Sequence, residues 1–240
     1  MKLLGIGSNA KTVKSDAGGE YLTAILYAAP AREHGTDSKK TMCPSSTAGC
    51  EAACLYTAGR GRMNSIQEAR KRKSVYYLEN QTAFLTQLKD EVTAFEKKCY
   101  KLDVTPVVRL NGTSDVPWET LGIEGKRTAT LMETFPKVQW YDYTKSWSRA
   151  GKTPANYHLT LSRGEETSDS QVRLHLALRQ NVAIVFEGPM LPTSHLGYPV
   201  VDGDVSDLRF LDGAGVIVGL RAKGDAKKDT SGFVVKAVVN

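Results

Sequence analysis

From residue 21 onward, short apolar runs of strand length alternate with stretches of helical periodicity, and few architectures accept that rhythm. Residues 21–29 read Tyr-Leu-Thr-Ala-Ile-Leu-Tyr-Ala-Ala and stop at Pro30, the pattern of a buried strand. Residues 64–99 are helical, with Ala83, Phe84, Leu88, Val92 and Phe95 at helical spacing. One unbroken helix of that length would measure roughly 50 Å. A break near Glu79 and Asn80 is therefore expected, with Asn80 capping the second helix. Further strands are expected at 104–110, 138–143, 156–161, 181–187 and 216–220, and a β-rich run at 232–239. Helices are expected at 121–135 and at 168–180, the latter capped by Ser168 or Asp169. Residues 1–20 read as an irregular lead-in. The alternation predicts a parallel α/β sheet. A closed eightfold barrel takes about 250 residues, so one domain over 1–240 is expected to form about six units, an incomplete TIM-like parallel barrel.

In parallel α/β folds functional groups gather where strands end. Behind the run at 21–29 lies a loop with three of the chain's four cysteines, Cys43, Cys50 and Cys54, amid Ser, Thr and Gly. Thiolates suit an iron–sulfur cluster or zinc, and three of them leave one coordination position open. Cys99 lies at the far end of the long helical stretch, near the opposite face, and reads as a small buried hydrophobe. The cluster is preferred because structural zinc takes four protein ligands. Zinc with a histidine fourth ligand is the alternative. His34 and His195 are the better placed for it, ahead of His175 and His158.

The other strand ends present residues 109–115, 141–146, Ser162 with Arg163, and Glu187 with Gly188, the composition of a ligand-binding rim. Arg109 serves either an internal salt bridge with Asp115 or Asp142, or a ligand, and Lys145 ends the third strand. Asp202, Asp204, Asp207 and Asp212 lack calcium-loop spacing and are read as turn formers. The net charge of +6 permits contact with a polyanion without demanding it. The densest basic stretch, from Arg60 to Lys73, is a solvated helix face, or else it steers an anionic ligand toward the metal. No apolar run approaches the roughly 20 residues that cross a bilayer, and the start of the chain lacks a signal peptide's apolar segment. A cytoplasmic location is expected, where clustered thiols stay reduced.

A three-cysteine loop after the first strand of a partial α/β barrel resembles the radical S-adenosylmethionine superfamily. The spacing is Cys-x6-Cys-x3-Cys, where that superfamily usually has Cys-x3-Cys-x2-Cys. More narrowly, three segments resemble a bacteriophage family called gene product 88. They are Cys43-Pro44-x-x-Thr47-x-x-Cys50-x-x-x-Cys54, the stretch Arg-Leu-Asn-Gly-Thr-Ser-Asp at 109–115, and Gly203-Asp204-x-x-Asp207-x-Arg209 with Val218-Gly219-Leu220-x-Ala222-Lys223-Gly224. The narrower resemblance implies a viral protein made in a bacterial cytoplasm. The broader one implies a [4Fe-4S] cluster on Cys43, Cys50 and Cys54 and a radical-SAM-like fold. It further implies S-adenosylmethionine on the remaining iron, near Asn111, Ser114 and Asp115. Three functions stay open: a radical enzyme; a non-catalytic cluster protein for electron transfer, redox sensing or binding to a host partner such as a redox protein; and a zinc-stabilised nucleic-acid-binding or host-interaction protein, the nucleic acid meeting the basic stretch.

Overall fold

The structure, a computed structural model, describes residues 1–7, 9–36, 39–125 and 128–236. Its first finding corrects the lead-in. Leu3 and Leu4 are buried, and β1 (Leu4–Ile6) pairs antiparallel with β2 (Tyr21–Leu26), Gly5 opposite Ile25. Between them α1 (Ala10–Asp16) starts at Asn9, whose side chain accepts from the Lys11 N–H at 2.8 Å. A three-residue strand is too short to show a period, which is why the sequence concealed it.

The cysteine loop follows β2 and holds a short helix, α2 (Ala48–Ala52). Next come α3 (Asn64–Glu79) and α4 (Gln81–Leu102), which break where expected: the Asn80 side chain accepts from the Ala83 N–H at 3.3 Å. The face of α4 carrying Phe84, Leu88, Val92, Phe95 and Cys99 is buried in the main core with Trp118 and Trp140. The chain continues through β3 (Thr105–Arg109), α5 (Leu131–Thr134), β4 (Gln139–Thr144), β5 (Tyr157–Ser162), α6 (Asp169–Ala177) and β6 (Val182–Phe186). It closes with β7 (Ser194–His195), β8 (Tyr198–Asp202), β9 (Ile217–Arg221) and β10 (Val234–Val235).

These strands form one mostly parallel ten-stranded sheet, ordered β1-β2-β3-β4-β5-β6-β9-β8-β7, with β10 also on β6. From β2 to β6 each strand lies beside its predecessor, and the path is not closed: β1 and β7 end it. The strands are apolar because the sheet is covered. Ala24, Ile25, Val107, Val108, Trp140, Tyr141, Val182 and Ile184 are all buried. After β8 the chain crosses back, placing Leu208 and Phe210 against Val107, Tyr141 and Tyr21.

Two further expectations change. The helix at 121–135 shrinks to α5, because the Ile123 N–H bonds the Ala129 carbonyl and closes a loop, and Thr130 begins the helix with a reciprocal cap to Glu133. Ile123 and Leu131 are buried all the same, so the apolar spacing that suggested a helix reports burial by a loop. The run at 232–239 yields only β10, and residues 237–239 lie outside the described residues. No described helix is long and apolar enough to cross a membrane.

Candidate metal centre

The cysteine loop is pinned from both ends. Its start is tied by the Met42 N–H to the Ala31 carbonyl at 2.9 Å and by the Asp115 N–H to the Met42 carbonyl at 2.9 Å. Thr47 caps α2, its hydroxyl accepting from the Cys50 N–H at 3.3 Å. Glu165, from the loop after β5, completes the clamp: one carboxylate oxygen accepts from the Thr47 hydroxyl and the other from the Gly49 N–H, each at 2.6 Å. Burial pushes the Glu165 carboxyl up, but these two hydrogen bonds prevail and hold it below its ordinary value. Gly49 is required there, since a Cβ would sit 2.7 Å from the Glu165 carboxyl carbon.

Cys43, Cys50 and Cys54 line one cavity of about 230 Å³, together with Arg109, Ser114, Lys145 and Ser162 from the C-terminal ends of β3, β4 and β5. The Ala31 N–H donates to Cys43 Sγ, 3.2 Å away, and the backbones of Thr47 and Tyr56 favour the charged forms of Cys50 and Cys54. Ala31 holds a φ of 43°, a left-handed conformation that costs a residue with a Cβ about 1–3 kcal/mol. Burial pushes the thiols up, Cys43 to about 12, Cys54 to about 11 and Cys50 in the same direction, and neighbouring sulfurs raise Cys43 and Cys54 further. Lys145 acts against this at Cys50. Such thiols keep their protons at neutral pH unless a cation replaces them.

Among the described residues, no group of three or more His, Cys, Asp or Glu is gathered closely enough to hold a metal ion as it stands. The donor chemistry nonetheless fits a soft metal: three sulfurs line one cavity, and Cys43 Sγ accepts a backbone N–H of the kind that supports metal-bound thiolate. No histidine lines that wall. His34 is buried with its ring nitrogens at the Lys40 carbonyl (3.0 Å) and the Thr36 hydroxyl (2.9 Å). His195 packs edge-on against Phe186, and His175 bonds Gln180. Cys99 is wholly buried in the α4 core and does not reach the cavity.

The loop after β3 forms another wall and is tightly self-bonded. The Asn111 side-chain oxygen accepts from Ser114 Oγ, the Val116 N–H and Trp118 Nε1, each at 2.9 Å. Its amide nitrogen donates to the Val116 carbonyl at 3.0 Å and to Asp142 at 3.3 Å. Asp115 accepts from Arg149 at 2.9 Å and from the Lys145 N–H at 2.8 Å. Asn111, Ser114 and Asp115 thus line the cavity with side chains committed to holding the loop's shape. Gly112 lets that loop pass over β2, since a Cβ would lie 2.5 Å from the Tyr27 ring.

Arg109 does form an internal ion pair, but its nearest partner is Asp207 at 3.1 Å, with Asp142 at 3.8 Å, while Asp115 serves Arg149. The remaining acidic residues are also paired: Asp202 with Arg221 at 2.9 Å, Asp204 with Lys223 at 2.6 Å and Asp212 with Arg209 at 3.1 Å. Lys145 donates to Ser162 Oγ at 2.8 Å and to the Arg163 carbonyl at 2.6 Å, and burial pushes its pKa down to about 8. Of the expected rim, Leu110, Tyr141, Asp142, Ser146, Arg163, Glu187 and Gly188 do not line the cavity.

A family model described as gene product 88 matches residues 1–237. The chain belongs to the gene product 88 family. The match takes in the cysteine loop, the loop after β3 and the segment holding Asp207, and it marks the chain as a bacteriophage protein. No curated protein and no solved structure matches the chain. In this family member, Glu165 and Asp207 are the residues that sequence reasoning missed as parts of the site.

Proposed function

We propose that this gene product 88 protein is an iron–sulfur protein, with Cys43, Cys50 and Cys54 holding a [4Fe-4S] cluster whose fourth iron has no cysteine. The observation that carries the reading is that three half-buried thiols line one cavity at the C-terminal ends of the parallel strands, Cys43 Sγ accepting from the Ala31 N–H. On this reading the open sheet is an incomplete barrel of the radical S-adenosylmethionine kind. Such a cluster supplies single electrons to a small molecule chelated at its open iron. The protein's part is binding and orientation. Glu165 fixes the helix that carries Cys50. Lys145, the cation that acts on Cys50, marks where an anionic group of the ligand would dock, while Arg109 stays paired with Asp207. Asn111, Ser114 and Asp115 hold their part of the cavity lining in shape.

The test is anaerobic purification or reconstitution with iron and sulfide, followed by visible and electron paramagnetic resonance spectra with and without S-adenosylmethionine. The account expects a broad sulfur-to-iron absorption, a reduced-cluster signal altered by S-adenosylmethionine, and methionine released when dithionite is added. An unaltered signal with no methionine would restrict the cluster to electron transfer or redox sensing. Stoichiometric zinc without iron or sulfide would overturn the cluster itself.

A further inference from the structure

The basic stretch does not all face solvent. Arg60, Arg70 and Lys73 line a second cavity of about 710 Å³ that also meets Lys14 of α1 and shares Lys11 and Arg109 with the cysteine cavity. Two carboxylates line it, those of Asp204 and Asp207, and these are taken by Lys223 and Arg109. Neither Arg60 nor Arg70 has a carboxylate partner among the described residues, so the wall carries a net positive charge. Arg70 is the telling residue. Its guanidinium is held over the Tyr27 ring at 4.9 Å and near the Tyr56 ring at 5.7 Å, and no described group accepts from its buried Nε and Nη1. Ring contacts place a guanidinium without satisfying its N–H donors. Burying such donors without acceptors is costly, and the guanidinium charge, balanced by no carboxylate, favours an oxyanion at this wall.

We propose that this second cavity binds a phosphorylated small molecule. The phosphate sits at Arg70, with Lys73, Arg60 and Lys14 around it, and the rest of the molecule extends past Arg109 toward the cysteines. Tyr27 and Tyr56 set the guanidinium plane, and the shared wall at Lys11 and Arg109 connects the phosphate end with the cysteine end. The binding step requires no metal, so it stands or falls apart from the cluster.

Calorimetric titration of the full chain with inorganic pyrophosphate tests this, with sodium acetate as the monovalent control. The expected result is saturable pyrophosphate binding that the triple variant C43S/C50S/C54S retains and that Arg70→Gln weakens at least about tenfold. Because Arg70 is half-buried, the exposed pair Lys14→Gln with Arg60→Gln is measured alongside, with unchanged thermal melting and about threefold to tenfold weaker binding expected. Three results would each overturn the proposal: no saturable binding, equal binding of acetate, or affinity untouched in both variants. A short single-stranded DNA that binds in a steeply salt-dependent way while pyrophosphate does not would transfer the surface to nucleic acid.

Discussion

Glu165 shows how one side chain far along the chain sets the geometry of the cysteine loop. Its carboxylate holds the first turn of α2 through Thr47 and Gly49, and so fixes where Cys50 points. Replacing it by Gln keeps the shape but removes the charge and turns one of the two accepting oxygens into an NH2 donor, so one of two charge-assisted hydrogen bonds, each worth about 1–3 kcal/mol, is lost and the other weakened. We expect Glu165→Gln to raise amide hydrogen exchange at residues 47–50 and to speed loss of bound metal to a chelator, while exchange in α4 stays as in the parent. Equal exchange at 47–50 in both proteins would remove Glu165 from this role. Nothing near Glu165 in the sequence announced it, because its partners lie 118 and 116 positions away. The cysteines were legible for the opposite reason: their clustering is local and their chemistry rare. Asp207 was legible as one acid among four near Gly and as part of a family-like segment, but not as an ion-pair centre, because its partner Arg109 is 98 positions away.

At the scale of elements, strong local signals held and weak ones did not. Asn80 ends one helix and caps the next, as its position between two periodic stretches requires. Its side chain spends one hydrogen bond on α4, so Asn80→Ala should lower stability by about 1 kcal/mol, read as a shift in the urea midpoint at unchanged slope. Ser168 likewise caps α6, accepting from the Gln171 N–H at 3.2 Å. The strands at β2 through β6 and at β9 were readable because both faces of the sheet are covered and their apolar runs are continuous. The edge elements β1 and β7 carry too few residues for a pattern, and β8, as long as β9, was hidden because none of its residues is buried. Residues 121–135 misled because loop residues that plug a core recur at helix-like intervals.

For the whole molecule, the segment after β8 returns across β3 and β4, and its charge centre is Asp207. Burial pushes this carboxyl up, but Arg109, Lys11 and the Tyr141 hydroxyl (2.6 Å) outweigh burial and hold it at about 2, against an ordinary 3.8. A carboxyl lowered on folding lends stability that is complete above its unfolded value and is lost as pH falls through its folded value. The window therefore runs from about pH 4 down to about pH 2, and its size is about 2 kcal/mol. Thermal melts should show Asp207→Asn destabilised at pH 6 and losing less stability than the parent between about pH 4 and pH 2. Parallel acid limbs in the two proteins would mean that Asp207 is not the group responsible. The same return segment brings Asp207 and Asp204 to the cysteine cavity, so the fold's closure and the site share one ion network. The central claim is that three cysteines, and not the fourth, hold a cluster at that site. Iron and acid-labile sulfide per chain, measured after anaerobic reconstitution of the parent and the four single Cys→Ser variants, test it most directly. The account predicts about four of each in the parent and in Cys99→Ser, and loss or severe depletion in Cys43→Ser, Cys50→Ser and Cys54→Ser. Loss in Cys99→Ser as complete as in Cys43→Ser, or an iron-free parent, would contradict it.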